Sequence, residues 1–189
     1  MASRFRDRSY LPGDHLHVAS RGLSKRRVFY SDDDIAAFLS DLANTLEATP
    51  VGSRPTLLAF AVLANHFHLV LRVGSDTLAV RRLIGALKRK HAARINSRAG
   101  TSGSIWQSPY RSRTITGAAD LANTIAYVHL NPSAQNRLKH SSHGAYSGER
   151  PWWMVDHEAG LKAFGGQSAY HSYLEATASM RRRRTTLGQ

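Results

Sequence analysis

The residues from 57 to 73 constrain the fold of this chain most, because they have the composition and spacing of a β-hairpin. β-Favouring side chains run from 57 to 63 and again from 69 to 73, and Ala64-Asn65 makes a tight connection between the two runs. The second run is preceded directly by His66-Phe67-His68. The sequence therefore predicts two antiparallel strands, with two histidines at the start of the second strand.

The two histidines share one face of that strand. Successive side chains of a strand point to opposite faces, so His66 and His68 lie on the same side, about 7 Å apart at their Cα atoms. Phe67 and Leu69 lie on the other side, where burial would hold the strand in place. Two imidazoles on one strand face can bind a metal ion. An isolated His-x-His pair is more often two surface histidines, so the surrounding sequence must decide between the two interpretations.

The charge of the chain predicts a polyanionic partner, and nucleic acid is the common one. The 189 residues include 26 Lys+Arg against 13 Asp+Glu, a formal net charge of +13. No acidic residue occurs between Asp76 and Asp120, although a solvated helix would normally interleave Glu with Lys. We therefore expect an anion to lie along this stretch. The candidates for contacting nucleic acid are Arg21, Arg81, Arg82, Lys88, Arg89, Lys90, Arg94, Trp106, Arg111 and Arg113.

Each of these positive residues alone is also interpretable as an ordinary surface charge, and Trp106 either stacks on a base or belongs to the core. Charged residues interrupt every apolar run that could span a membrane. The N-terminus lacks the apolar segment of a signal peptide, and the chain contains no cysteine. We expect no membrane partner and a cytoplasmic location.

The order of predicted elements is strand, helix, strand, strand, helix, strand, which is the split βαβ pattern of a ferredoxin-like fold. We predict an α+β protein in which helices pack on an antiparallel sheet and the His66 strand is central. Residues 1–147 would form the catalytic domain, and 148–189 a short helical C-terminal extension with a basic tail. The predicted strands cover 15–21, 56–63, 66–73 and 105–116, and the predicted helices 32–47, 76–99, 118–131, 155–164 and 168–180.

A second group of chemical interest lies near the end of the helix predicted from 118 to 131. Tyr127 and Asn131 are four residues apart, so they lie on one helix face, one turn apart. A phenol is a poor nucleophile unless a metal or a base assists it. Spacing alone favours a plainer interpretation, in which Tyr127 is an amphipathic core tyrosine and Asn131-Pro132 ends the helix.

Four ordered motifs together resemble one family, the REP-associated tyrosine transposases of the single-tyrosine HUH class. The resemblance covers roughly residues 10–147. The motifs are Val18-Ala19-Ser20-Arg21-Gly22 with Val28-Phe29 and Asp33, then Asn65-His66-Phe67-His68-Leu69-Val70-Leu71, then Ile105-Trp106-Gln107 with Arg111, and finally Tyr127-Val128-His129-Leu130-Asn131-Pro132.

The resemblance implies an enzyme that cleaves and rejoins single-stranded DNA, often beside a hairpin formed by palindromic repeats. It implies Tyr127 as the nucleophile, which would form a covalent 5′-phosphotyrosine link and leave a free 3′-hydroxyl. It implies His66 and His68 as ligands of Mg²⁺ or Mn²⁺, with Asn131 in the place of a polar third ligand. Imidazole suits Mn²⁺ better than Mg²⁺, so we expect Mn²⁺ to be at least as effective. The active species would be a monomer or a homodimer.

Two other functions fit the same residues. One is a non-catalytic module for single-stranded nucleic acid, in which aromatic side chains on the sheet stack on bases. The other is a metal-dependent nuclease in which water replaces Tyr127 as the nucleophile. His15 and His17 form a further alternating pair, which we interpret as sheet histidines near an edge. Tyr110 is a second candidate nucleophile, although its strand setting favours packing or stacking.

Overall fold

The computed structural model describes residues 10–133 and 136–187, so predictions for the first nine residues lie outside it. The four strands are β1 (His15–Arg21), β2 (Thr56–Leu63), β3 (His66–Arg72) and β4 (Arg111–Ile115). The larger helices are α1 (Asp32–Glu47), α2 (Ala79–Ala99), α3 (Gly117–His129) and α7 (Gln167–Leu187). Three short helices lie between α3 and α7, namely α4 (Arg137–His140), α5 (His143–Ser147) and α6 (His157–Leu161).

The four strands form one antiparallel sheet in the order β2-β3-β1-β4. With α1 after β1 and α2 after β3, this order and connectivity are those of a ferredoxin-like fold, as predicted. β3 lies between β2 and β1, which confirms the central position expected for the His66 strand. β1 is also an interior strand, because β3 pairs with one of its edges and β4 with the other.

Each face of the sheet is covered by helices. On one face, α1 packs against β3, where the rings of Phe38 and Phe67 are 5.0 Å apart by their centroids. Phe67 and Leu69 are both fully buried there, as the alternation predicted, and each contributes roughly 1.5–3 kcal/mol by leaving water. On the other face lies α3, with the C-terminal helices packed beside it. The sheet therefore presents its histidines to the side that carries Tyr127.

Local sequence accounts for the ends of these elements. The Ser31 side chain accepts a hydrogen bond from the backbone N–H of Asp34, which caps α1 at the predicted position. Ala64 and Asn65 form the two-residue turn between β2 and β3, and their carbonyls accept backbone hydrogen bonds from residues 22, 28 and 29. In the loop that follows β1, position 22 requires glycine, because a Cβ atom on Gly22 would lie 2.2 Å from the Arg26 carbonyl oxygen.

The predicted strand over 105–116 divides into two parts. Only Arg111–Ile115 is regular strand, while Trp106 forms an isolated bridge with Gly22. The chain from 108 to 110 leaves the sheet between these two pairings, so the local alternation did not show where the strand begins.

The C-terminal region contains more helix than the sequence predicted. α4 and α5 were not predicted because they are too short to show a helical period, and α7 continues to Leu187. Tyr170 and Leu174 of α7 are buried in the same hydrophobic core as the sheet. The boundary at residue 147 stays a prediction, since packing is continuous across it. No helix in the described ranges is both long and apolar enough to cross a membrane.

Candidate active site

The pairing of β3 with its neighbours determines the surroundings of the two histidines. His68 lies opposite Ala19 on β1 and Ala61 on β2, so small side chains flank its ring on both sides. His66 lies opposite Arg21 and Leu63 at the strand ends. The two imidazole centroids are 4.9 Å apart, so both rings lie on one face as the alternation predicted.

One nitrogen of each imidazole is held by a neighbouring side chain. His66 Nδ1 is hydrogen-bonded to Asn65 Oδ1, which can only accept, so the proton is on Nδ1. His68 Nδ1 lies 2.9 Å from His17 Nε2. If His68 is the donor in that pair, both histidines keep a lone pair on Nε2. Metal-binding histidines usually have this arrangement, with the other ring N–H donated to a second group.

His17 is a site residue that the sequence interpretation missed. Its ring stacks on His68 with centroids 5.0 Å apart and an interplanar angle of 22°. We expected His15 and His17 near a sheet edge, and this expectation was wrong because β4 covers the outer side of β1. The alternation within one strand does not reveal the order of the strands in the sheet. The only sequence signal for His17 as a site residue was therefore its alternation with apolar neighbours.

Burial keeps these histidines neutral at neutral pH. Loss of solvent, followed by the neighbouring histidines, lowers the pKa of His68 to about 3. Burial, together with the charge of Arg113, lowers the pKa of His17 to about 4. Burial also lowers the pKa of His66. Neutral imidazole is the form that binds metal. His68 is only 6% exposed, so its ring lies in the buried interior and not at the surface.

Tyr127 lies over this group of rings from α3. Its neighbours Ile125, Ala126 and Val128 are fully buried, whereas the Tyr127 side chain is 41% exposed. The Tyr127 ring contacts His68 and His17 edge-on, at centroid distances of 5.6 and 5.9 Å. Tyr127 is therefore not the core tyrosine of the plainer interpretation. The guanidinium of Arg181 on α7 lies 5.2 Å from the centre of its ring.

A cavity of about 230 Å³, the catalytic cavity, joins the residues of the site. It contains His66, His68 and Tyr127 together with Arg21 and Arg111, two of the predicted nucleic-acid contacts. Gln107 was not singled out from the sequence, although it belongs to a motif that carried the family resemblance. Among the described residues, no carboxylate lines the cavity. The full lining is Ala19, Ser20, Arg21, His66, His68, Gln107, Pro109, Arg111 and Tyr127.

Asn131 does not line this cavity. It lies beyond the end of α3, and its side-chain N–H donates to the backbone carbonyl of Tyr127 at 3.1 Å. Its amide thus helps to hold the turn that follows the tyrosine. A role for Asn131 as a third metal ligand stays a prediction, and Gln107 is the amide side chain that lies in the cavity.

The basic residues between 76 and 120 divide into paired and unpaired groups. Asp41 on α1 lies 2.7 Å from Arg94 and 3.7 Å from Lys90, and Asp34 binds Arg98. The inference that this stretch requires an external anion was therefore wrong for Lys90, Arg94 and Arg98, because α1 supplies their carboxylates from outside the interval. Arg82 pairs with Asp76, and Arg113 with Asp120. Over the described residues, no carboxylate forms an ion pair with Arg21, Arg81, Lys88, Arg89 or Arg111.

Trp106 belongs to the core and does not form a stacking surface. It is 3% exposed, and its ring packs against Phe29, Phe67 and His91. Its indole N–H donates to the Lys88 carbonyl at 3.1 Å. Because the ring is almost wholly buried among core side chains, the alternative in which Trp106 stacks on a base was wrong.

His66 and His68 fit a divalent ion by their donor atoms. The buried Nε2 of His68 has no hydrogen-bond partner among the described residues, so its lone pair is open to a metal ion. The described ranges hold no cluster of three or more His, Cys, Asp or Glu side chains suited to a metal. An ion there would depend on two imidazoles, with open positions for oxygen ligands.

Comparison with known proteins agrees with these motifs. A family model described as IS200-like transposases matches residues 14–131, more than half of the chain. The chain belongs to this family. The match includes both strand histidines, Tyr127 and the cavity residues between them. The comparison with curated proteins found no match.

The fold of this transposase-family chain is shared with a solved structure. A REP-associated tyrosine transposase bound to a REP hairpin superposes with a TM-score of 0.58 at 15% identity, over 79% of this chain and 89% of the other. A Deinococcus radiodurans R1 protein, provisionally described as a transposase, gives a TM-score of 0.42 at 20% identity, over 68% of this chain and 98% of the other. The resemblance stated from the four motifs is confirmed.

Proposed function

We propose that this transposase-family protein cleaves and rejoins single-stranded DNA through a covalent 5′-phosphotyrosine on Tyr127. The observation that carries the proposal is the position of the exposed Tyr127 ring over His68, in a cavity where the described residues supply two arginines without an ion pair and no carboxylate. A cavity of that composition suits a phosphodiester, because every charged group in its lining is positive.

In the proposed reaction, Tyr127 Oη loses its proton and attacks the phosphorus of the scissile phosphodiester. A bond forms between Tyr127 Oη and phosphorus, and the bond from phosphorus to the 3′-oxygen breaks. The leaving 3′-oxygen takes up a proton and becomes a free hydroxyl. Arg21 and Arg111 would stabilise the negative charge on the phosphate oxygens. Attack by a 3′-hydroxyl on the phosphotyrosine would reverse the step and rejoin a strand.

His66 and His68 would hold a divalent ion, Mg²⁺ or Mn²⁺, through Nε2. When bound, such an ion would polarise the scissile phosphate and favour ionisation of the phenol. His17 would support the site by accepting the Nδ1 proton of His68, which leaves Nε2 free.

The proposed substrate is DNA that is single-stranded at the cleavage site, beside a hairpin. The solved transposase of similar fold is bound to a REP hairpin, and the unpaired arginines of this chain would bind the DNA backbone. The hydrolytic alternative has less support, since the part of the chain that the structure describes places no Asp or Glu in the cavity to activate water. The proposal also keeps a cytoplasmic location and a monomer or homodimer.

The proposal is tested by incubating the protein with labelled hairpin DNA carrying single-stranded flanks and Mn²⁺, followed by a denaturing gel. The wild-type protein should retain label as a covalent adduct. Tyr127→Phe should abolish the adduct and leave DNA binding near that of the wild type. Tyr110→Phe is the matched control, because Tyr110 is the other candidate nucleophile, and it should form the adduct normally. An adduct of full yield in Tyr127→Phe would refute the assignment.

A further inference from the structure

A second and larger cavity lies between α2 and β4, on the face of the sheet opposite the histidines. Its volume is about 840 Å³. We call it the α2–β4 cavity. β4 is an edge strand, so this cavity and the catalytic cavity lie on the two sides of one sheet edge. It is lined by Tyr10, Arg81, Gly85, Lys88, Arg89, Ala92, Gly103, Ser104, Trp106, Ser108, Pro109, Tyr110 and Ser112.

The two cavities meet where the edge strand is interrupted. The backbone N–H of Gln107 donates to the Arg21 carbonyl, and Arg111 pairs with Ala19. Between these two pairings the chain has three residues, 108–110, whereas β1 has only one residue between Arg21 and Ala19. Residues 108–110 therefore form a bulge at the sheet edge. Pro109 lines both cavities. The two cavities therefore adjoin at Pro109, at the open edge of the sheet.

The sizes of the cavities assign different roles to them. Sites for small ligands usually measure about 300–1,000 Å³. The catalytic cavity, at about 230 Å³, suits a phosphate group with an ion but is small for a whole nucleotide. The α2–β4 cavity, at about 840 Å³, has room for a base with its sugar. A base next to the scissile phosphate therefore needs a position outside the catalytic cavity.

The lining of the α2–β4 cavity matches the chemistry of an unpaired base. Tyr10 and Tyr110 are half-buried, and the Tyr10 hydroxyl is hydrogen-bonded to Ser112 Oγ, which restrains its ring. Arg81 and Arg89 lie on the α2 side without an ion pair to any described carboxylate. The Lys88 ammonium donates to the Gln107 carbonyl at 3.0 Å, which ties α2 to the bulge. Aromatic rings beside positive charge are the usual platform for single-stranded nucleic acid.

We propose that the α2–β4 cavity binds one unpaired base of the DNA strand whose neighbouring phosphate lies in the catalytic cavity. Tyr110 stacks on that base, and Arg81 and Arg89 hold the adjoining phosphates. This inference rests on the proposed function and adds a base-binding subsite to it.

The inference is tested by photocrosslinking with full-length Tyr127→Phe protein in EDTA, so that the result does not depend on cleavage. The probe is a deoxythymidine oligomer with 5-iodouracil at one position at a time. We expect crosslinking to Tyr110 or Tyr10, located by fragmenting the tryptic peptides that contain them, 99–111 and 9–21.

Binding of the same oligomer gives the quantitative test. Tyr110→Ala should weaken binding roughly 5- to 160-fold, which corresponds to the usual loss of about 1–3 kcal/mol for one stacked base. Tyr110→Phe should bind like the parent protein, and so should Tyr30→Ala, which removes an exposed tyrosine outside the cavity. An abasic residue at the crosslinking position should weaken DNA binding by the parent protein. The same abasic oligomer should bind Tyr110→Ala almost as well as the intact oligomer does.

Crosslinks confined to residues outside the α2–β4 cavity would overturn the inference, as would undiminished binding by Tyr110→Ala. Either result, with DNA still bound at low salt, would leave the proposed function intact. Failure to bind any DNA at low salt would contradict the proposed function as well as the subsite. Should circular dichroism show that Tyr110→Ala is unfolded, Ala92→Leu makes the same test by narrowing the cavity from α2.

Discussion

Replacement of His17 tests how the candidate metal site is organised. His17 Nε2 is the partner of His68 Nδ1 at 2.9 Å, and the His68 ring is 6% exposed. In His17→Leu the volume is nearly kept, but the acceptor is lost. His68 can then move its proton to Nε2, and in that tautomer Nε2 cannot bind a metal. His17→Gln places an amide oxygen in reach of Nδ1 and keeps an acceptor.

The expected magnitude follows from the geometry. Loss of a hydrogen-bond partner of a metal ligand typically weakens metal binding 10–100-fold, about 1.4–2.7 kcal/mol. The buried Nδ1 atom of His68, which loses its hydrogen-bond partner in either tautomer, should also lower the free energy of unfolding by about 1–3 kcal/mol. We therefore expect His17→Leu to show both effects, and His17→Gln to recover most of the metal affinity.

Mn²⁺ titration without DNA, followed by the electron paramagnetic resonance of the free ion, measures the affinity directly. Urea unfolding in EDTA measures stability separately from metal binding. Unchanged Mn²⁺ affinity in His17→Leu would refute the idea that His17 orients His68. Equal loss in the Leu and Gln variants would show that His17 contributes by packing and not by accepting a proton.

Three further predictions follow from the site. His66→Ala and His68→Ala should each abolish ion-dependent cleavage, and cleavage by both variants in EDTA would contradict the metal site. Burial lowers the folded-state pKa of His68 from 6.5 to about 3, so the unfolded chain takes up the proton first as the pH falls. The free energy of unfolding should therefore decrease as the pH falls below 6.5. Urea unfolding in EDTA should show a decrease of at least roughly 2 kcal/mol between pH 7 and pH 5. Replacing Arg21 and Arg111 together with Ala should reduce the slope of log K for DNA against log salt by about 1.4, whereas the paired Lys90 and Arg94 should have less effect, and the reverse order would place the DNA path elsewhere.

The sequence predicted the hairpin that carries the metal ligands because its signals are local. Alternation placed His66 and His68 on one face and Phe67 on the other, and a two-residue turn determined the register. The N-cap at Ser31 and the end of α1 were predictable for the same reason. Strand order is not local, and for that reason His17 was assigned to an edge although it lies between β3 and β4 neighbours.

Charge patterns were the least reliable part of the sequence interpretation. The acid-free interval suggested an anion along the whole of α2, but Asp41 and Asp34 reach Arg94 and Arg98 from α1, which lies 53 and 64 residues earlier in the chain at these two pairs. Only tertiary structure separates the paired cations from unpaired ones such as Arg111. In the same way, the sequence alone was compatible with either a core role or a base-stacking role for Trp106. Its burial in the structure shows that it belongs to the core.

The most direct test of the account is the chemical identity of the residue that becomes attached to DNA. After reaction with hairpin DNA and Mn²⁺, nuclease and trypsin digestion should leave a nucleotide remnant on the peptide from Thr114 to Arg137, in which Tyr127 is the only tyrosine. We predict that fragmentation of this peptide places the added mass on Tyr127. A remnant on another peptide, or cleaved DNA with free 5′-phosphate ends and no modified peptide, would contradict the central claim.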